Sequence, residues 1–489
     1  MCWSVAPPRT LNEITTQKAN KMRMPLHGPV GILLVIGICF VSLLVKLTYI
    51  AFVVPGYKPA AACSPQNHGF ISFRDFGMEG DEGDYVWIAY NLLYHRQFSM
   101  KRSLPLVPTA FRGPGFPFFI AGIFTLLGLK LWPLLVAHAL LMCTVAGLIY
   151  WLSLLLSQRR SVALTACILA AVHPAALYFG SGNIMSEGLY VPLLTLSVCL
   201  LALAHRTSKH GHASLSGAVL GLAALTRSEA LGLAVLAAIW IAFSSHSVRR
   251  GIGLVAALVL PLFAVLLPWG VRNALVFDRF MVNTTQAGEA FYGANNRQAV
   301  DQSPGTWVSL QPEVKAALGE LSEPERSKKA FQLGFKELRS MGFRNLLKLE
   351  TFKLIRYLLP AQRVYSGTRL RDAFFKGSEV SLLSAASWIT LLLVPLSCCI
   401  AITVVLGLRI MLRDAARGNR VAILLLVVQA YYIAIALIFF GDTRFRFMVE
   451  PQLCIFAAMG ISTLLGWISK KKARLRPGRT GQTNAEEQV

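Results

Sequence analysis

Runs of 17–25 mostly apolar residues recur along the chain, the length that crosses a hydrocarbon core of about 30 Å. Inside a bilayer such runs can satisfy their backbone only as helices or a closed barrel, and 17–25 residues is helix length. The pattern predicts an all-α polytopic membrane protein of about ten spans, or 11–12 if re-entrant helices are counted. Spans are expected at 30–54, 131–156, 162–179, 189–204, 214–226, 230–246, 252–269, 381–408, 421–440 and 447–468. The stretch 116–128 is short for a span and reads as a re-entrant or interfacial helix.

The formal net charge of +24 would suggest nucleic acid in a soluble chain. Here most basic clusters sit just beyond apolar runs, as the positive-inside rule demands of cytoplasmic loops. Arg159–Arg160, Arg206 with Lys209, Arg249–Arg250 and Arg409 to Arg420 mark inner loops on this reading. The chain then divides into a cytoplasmic N-terminus (1–29) and an N-terminal membrane module (30–269), which includes an outer loop (56–130). An outer-side domain (270–380), C-terminal spans (381–468) and a cytoplasmic tail (469–489) follow, the last dozen residues having a disordered composition. The first apolar run is too long for a signal peptide's core and reads as an uncleaved span. Seven of nine cysteines lie in apolar runs, where cysteine is a small hydrophobe. Cys2 lies in the polar N-terminal segment, and Cys63 stands in an outer loop without an evident partner.

Setting the inner basic clusters aside isolates a second set of charges, all on the outer side: Asp81, Glu82, Asp84, Arg112, Glu187, Arg227, Glu229, Arg272, Asp442, Arg444 and Arg446. Any one could cap a helix or pair with a neighbour. Together, at one level of the membrane, they suit a cavity at the lipid–water boundary. The guanidinium fork matches phosphate oxygens and stays charged. A carboxylate suits a general base. The combination describes transfer of a group from a lipid-linked phosphate to a hydroxyl. A transporter or flippase for a lipid-linked sugar would need similar arginines, but would more often show repeated halves and broken helices at mid-membrane. The segment 81–93, "DEGDYVWIAYNLL", also reads as an amphipathic helix lying in the interface, with Tyr85, Trp87 and Tyr90 at headgroup level. In the outer domain, "KLETFKLIRYLLP" (348–360) reads as a basic amphipathic helix whose Lys348, Lys353 and Arg356 could attract anionic lipid.

Five segments in order resemble the GT-C membrane glycosyltransferases, in particular the bacterial branch similar to protein O-mannosyltransferases and aminoarabinose transferases. They are "DEGDYVWIAYNLLYHRQFS" with "PTAFRGPGFPFFIAGIFTLLG", then "HPAALYFGSGNIMSEGLYVPLL", "GLAALTRSEAL", "PWGVRNALVFDRFMVNTTQAGEAFYGANN" and "GDTRFRFMVEPQL". The sequence departs from the family's habit at Gly113 and Ser228, where proline is frequent, and at Phe116, where tyrosine is usual. The resemblance implies an inverting glycosyltransferase, of hexosyl- or pentosyltransferase class, that uses a polyprenyl-phosphate sugar. It implies Asp81 as catalytic base with Glu82 beside it and Asp84 in reserve. Arg227 and Arg272 are expected on the donor phosphate, with Arg112, Arg444 and Arg446 as second choices. Glu187, Tyr85, Tyr292 and Asn295 are expected at the acceptor or sugar site. No metal site is required, although Asp81 and Glu187 could share a divalent cation, magnesium or manganese. The acceptor would be a protein, lipid or glycan, and the location a bacterial inner membrane with the site facing the periplasm. The oligosaccharyltransferase branch is disfavoured, because neither a WWD-type motif nor a folded domain after the last span is seen.

Overall fold

The structure, a computed structural model, describes residues 29–53, 80–359 and 385–474. Cys2, Cys63, the N-terminal basic segment, the whole of 54–79, the stretch 360–384 and the far tail lie outside the described residues. Every regular element among those described is a helix. In chain order they are α1 (Pro29–Val53), α2 (Asp81–His95), α3 (Gly115–Leu127), α4 (Trp132–Ser157), α5 (Arg160–Ala171), α6 (Pro174–Ser181) and α7 (Glu187–Thr207). Next come α8 (His210–Thr226), α9 (Glu229–Phe243), α10 (Val248–Phe277), α11 (Gln286–Ala294), α12 (Arg297–Gln302) and α13 (Pro312–Gly319). The chain continues through α14 (Glu323–Ser340), α15 (Phe343–Leu358), α16 (Ala385–Ala416), α17 (Arg420–Ile438), α18 (Thr443–Phe447) and α19 (Glu450–Arg474).

Six of the described helices are long and apolar enough to cross a membrane, and α5 with α6 makes a seventh if that pair, bent by 50°, is one span. The ten expected spans are therefore not all accounted for. Two fall short by length, since α8 has 17 residues and α9 has 15, each too few alone for a bilayer's thickness, and the expected span at 381–408 begins outside the described residues. The α3 helix, of 13 residues, is shorter still. The bend between α5 and α6 falls before Pro174, whose ring cannot continue the helix and which opens α6 instead. It leaves the Ala171 carbonyl free, and the buried Lys46 on α1 caps it at 3.1 Å, with Ser42 adding a bond at 2.8 Å. Lys46 thus turns into the bundle, the usual answer to a cation in an apolar span.

Apolar burial does little to hold helices together in lipid, so close packing and interhelical hydrogen bonds carry the association. On α8, Gly217 and Gly221 lie four apart and let the backbone approach α10 at Leu258 and Leu262. Tyr190 on α7 and Tyr432 on α17 share a hydrogen bond in the bundle core. The basic loops meet at one end: Asn419 bonds the Leu156 carbonyl at 3.2 Å, and Trp240 bonds that of Arg420 at 3.0 Å. The second set of charges meets at the other.

The aromatic face of α2 differs from its interfacial reading. Tyr85, Trp87 and Tyr90 are all buried. They pack with Phe116, Ile120, Leu134 and Leu135 from α3 and α4, so neighbouring helices take the place of lipid. Lys353 on α15 also turns inward. It is fully buried and bonds Asn295, Glu350 and the Leu437 carbonyl, each at 2.7 Å. Arg356 is engaged with the Pro304 carbonyl at 2.8 Å, while Lys348 stays exposed. A lysine left unpaired there would cost several kcal/mol, and its bonds to Asn295 and the Leu437 carbonyl tie α15 to the end of α11 and to α17.

Candidate active site

Asp81 opens α2, where a carboxylate is favoured by the helix dipole. Its two oxygens are held by two arginines from distant parts of the chain. Arg112 Nη2 donates to Oδ1 at 2.5 Å, and Arg444 Nη1 donates to Oδ2 at 2.7 Å. Arg112 also bonds Asp84 at 2.8 Å and Gln286 at 2.9 Å. Arg444, on the one-turn helix α18, reaches the fully buried Glu187 through Nε and, at 3.3 Å, through Nη2. Glu187 opens α7 and shares Oε1 with Arg227 Nη1 at 2.8 Å. Arg227 Nη2 in turn bonds Glu229 at 2.8 Å.

The result is a continuous ionic chain, Asp84–Arg112–Asp81–Arg444–Glu187–Arg227–Glu229. Along it, four carboxylates face three guanidiniums, so no arginine is idle. Burial pushes the Asp81 carboxyl up, but the guanidiniums of Arg444 and Arg112 outweigh it and hold the group well below the usual carboxylate range. A phosphate entering here must take donors from a carboxylate rather than find them free. One donor is uncommitted: Arg227 Nε is buried and has no hydrogen-bond partner among the described residues.

Two glycines explain how Arg112 and Arg227 come so close. In "RGPG", a Cβ on Gly113 would stand 2.5 Å from the Leu225 carbonyl oxygen, and one on Gly115 would stand 2.6 Å from Thr226 Oγ1. The turn thus rests directly on the end of α8, beside Arg227. The departure at Gly113 has this physical content, since any side chain there meets backbone. Gly115→Ala is expected to push the two turns apart, at about 1–3 kcal/mol in stability. Thermal unfolding and donor titration check this, the expected result being a lower Tm together with weakened donor binding.

These residues wall a cavity of about 280 Å³. Asp81, Tyr85, Arg112, Arg227, Gln286 and Arg444 line its polar side, and Ile435, Phe439, Phe440 and Phe445 its apolar side. Among the described residues no three of His, Cys, Asp and Glu cluster to hold a metal ion. Between Asp81 and Glu187 sits the Arg444 guanidinium, so a cation shared by them would have to displace it.

The family model for dolichyl-phosphate-mannose-protein mannosyltransferase matches residues 111–269, about a third of the chain. It runs from beside Arg112 through Arg227. The apo oligosaccharyltransferase of Archaeoglobus fulgidus is similar in structure, with a TM-score of 0.50 at 12% identity over 90% of this chain and 51% of its own. The likeness is one of fold: the chain shares the helical arrangement of this archaeal enzyme. AglB from A. fulgidus, solved with an inhibitory peptide and a dolichol-phosphate, gives a TM-score of 0.47 at 13% identity, covering 93% of this chain and 53% of that one. ArnT from Cupriavidus metallidurans, bound to undecaprenyl phosphate, gives 0.35 at 12% identity, covering 92% and 81%. The chain spans about half the length of the archaeal enzyme. No curated protein sequence matches it.

Within this fold the remaining expected residues separate. Tyr85 lines the cavity and its hydroxyl bonds Ser186 at 3.3 Å. Glu82 is buried and does not line the cavity. Arg272 lies apart, bonded to the Thr109 carbonyl at 2.9 Å with its guanidinium over Phe98, Trp269 and Phe277. Tyr292 packs with Leu318 of α13 and Ala330 of α14. Asn295 bonds the Ile438 carbonyl at 2.9 Å and accepts from Lys353. Arg446 points to the far side of α18, on Glu450 at 2.8 Å. Arg272→Ala is therefore expected to lower stability by about 1–3 kcal/mol through lost stacking and hydrogen bonds. Thermal unfolding checks it, with donor affinity in the folded fraction unchanged.

Two residues near the site carried no sequence signal. Gln286 meets Arg112, and Glu323 ties the loop before Arg112 to the start of α14, at 2.6 Å to Thr109 and 2.8 Å to the Ala110 amide. Both lie in a polar segment where such side chains are ordinary.

Proposed function

We propose that the chain is an inverting glycosyltransferase that moves a sugar from a polyprenyl-phosphate donor to an acceptor hydroxyl. The observation that carries this reading is the meeting of Asp81 with Arg112, Arg227 and Arg444 at one cavity with an aromatic wall. The family model over 111–269, named for a dolichyl-phosphate-mannose donor, supports the same donor class. The donor phosphate lies against Arg227 and Arg444 and takes their donors from Glu187 and Asp81. The freed Asp81 accepts the proton of the acceptor hydroxyl. The hydroxyl oxygen bonds to the anomeric carbon as the bond to the phosphate oxygen breaks on the opposite face. The polyprenyl phosphate leaves with that electron pair, its charge met by the guanidiniums. Binding the donor thus readies the base, so donor precedes acceptor. The cavity end, opposite the basic loops, faces the periplasm of a bacterial inner membrane on the positive-inside rule.

Purified full-length protein incubated with a panel of labelled polyprenyl-phosphate hexoses and pentoses, together with membrane extract, tests the reaction. Label is expected to move to a protein, lipid or glycan. Sugar lipid carried across vesicle membranes without chemical transfer would instead make the chain a transporter.

A pH profile tests the base. In the free enzyme the acid limb of kcat/KM reports the Asp81 carboxyl and is expected below the unperturbed value of about 3.9. Arg112→Gln removes a positive neighbour, so the carboxyl holds its proton to higher pH and the limb moves upward. A limb that stays in place would assign the titration to another group.

A further inference from the structure

The short helix α18 has two charged faces. Arg444 and Arg446 stand two apart on one turn and so point in opposite directions, the first into the cavity described above. The second helps line another cavity of about 280 Å³ between α6, α16 and α19. Its polar end holds His173, Arg446 and Glu450, and its walls are Phe179, Ile400, Val404, Val405 and Leu453. Arg446 is committed to Glu450 and to the carbonyls of Tyr357, Leu358 and Leu359 at 2.8–2.9 Å.

Glu450 is only 4% exposed, yet its Oε2 makes no hydrogen bond among the described residues. His173 Nδ1 stands 3.5 Å from it and is likewise without a hydrogen bond. A buried carboxylate oxygen left unsatisfied is costly. The site therefore asks for a donor that can reach Oε2. A phosphate would bring only acceptors against a carboxylate, and the one arginine is already engaged. A hydroxyl or an ammonium supplies what is missing, and a hydroxyl can accept from His173 as well.

We propose that this cavity is a second lipid site, distinct from the transfer pocket, that takes the hydrogen-bond-donating head of an amphiphile. The volume holds a head and a few carbons. The chain then leaves along Val405 and Leu358, which are 64% and 54% exposed. The inference does not rest on the transfer reaction, since it uses none of the transfer pocket's residues.

The test uses full-length protein in nanodiscs with three diazirine-bearing hexadecyl probes: an alcohol, a primary amine and a phosphate. Crosslinked peptides are mapped by mass spectrometry. The alcohol, the amine or both are expected to label the segments 173–179 and 400–405 several-fold more than the phosphate does. Unlabelled hexadecanol or hexadecylamine should compete in the wild-type protein, where no folding question arises. Val404→Phe, which fills the apolar wall, is expected to cut labelling about ten-fold while leaving sugar transfer in place. Glu450→Gln separates the two head chemistries, with the amine losing more than the alcohol because its bond is charge-assisted. Equal or better labelling by the phosphate overturns the proposal. So does a Val404→Phe protein that labels as the wild type does, or wild-type labelling that no competitor reduces, since a water would then suffice to bridge His173 and Glu450.

Discussion

Replacing Asp81 by Asn is expected to lower the transfer rate by about 10²–10⁴-fold, the span of a lost general base. Asparagine keeps the shape and cannot take the acceptor's proton. The substitution also removes the negative charge that Arg112 and Arg444 now bind. Those guanidiniums become available to the donor, so donor affinity is expected to hold or rise while turnover collapses. Equilibrium binding of a labelled polyprenyl-phosphate sugar, set beside single-turnover transfer, separates the two quantities. Full turnover by the variant would remove Asp81 from the mechanism, and a parallel loss of binding would make it a structural residue only.

The second large effect is expected at Arg444. Arg444→Ala leaves Asp81 with Arg112 alone and Glu187 with Arg227 alone. Glu187 has no solvent exposure, and stripping one partner from a buried pair costs about 3–5 kcal/mol. A lower Tm and a loss of transfer are both expected. Adding Glu187→Gln should return much of the stability, because the stranded charge is gone. It should not return activity if Arg444 meets the phosphate. Recovery of both together would mean that Arg444 serves only to hold Glu187 in place. Arg444→Lys is expected to rescue poorly, since a point charge cannot span Asp81 and Glu187 as the fork does.

The helical, membrane-spanning fold was legible because a bilayer leaves so few backbone solutions. The number of spans was less so. The sequence 214–246 carries enough apolar residues for two crossings, but the turn "TRSE" divides it into helices too short to cross singly. Among the charges, Asp81, Arg112, Glu187, Arg227 and Arg444 stood out as what remains when the inner basic clusters are set aside, and they converge. Arg272 and Arg446 stood out equally and do not line that cavity. The difference is side-chain direction, which depends on the neighbours that each helix meets. Arg272 is drawn under three aromatic rings, and Arg446 is two residues from Arg444 on a single turn. Asn295 stands out for the sugar site by its position alone, but a buried lysine from 58 residues away claims it. Trp87 and Tyr90 looked interfacial because aromatics belong there, and only the packing of α3 and α4 shows that the place is already filled. Glu323 and Gln286 gave no warning, since polar side chains in a polar segment carry no contrast.

The locked state of Asp81 bears on a hazard that any such catalyst faces. Water is always at hand, and a free carboxylate in a wet pocket would set it upon the activated sugar. With both oxygens gripped by Arg112 and Arg444, Asp81 is not free to do so in the resting pocket. On the proposed reaction that restraint ends when the donor phosphate binds, so from then on only prompt arrival of the acceptor keeps the sugar from water.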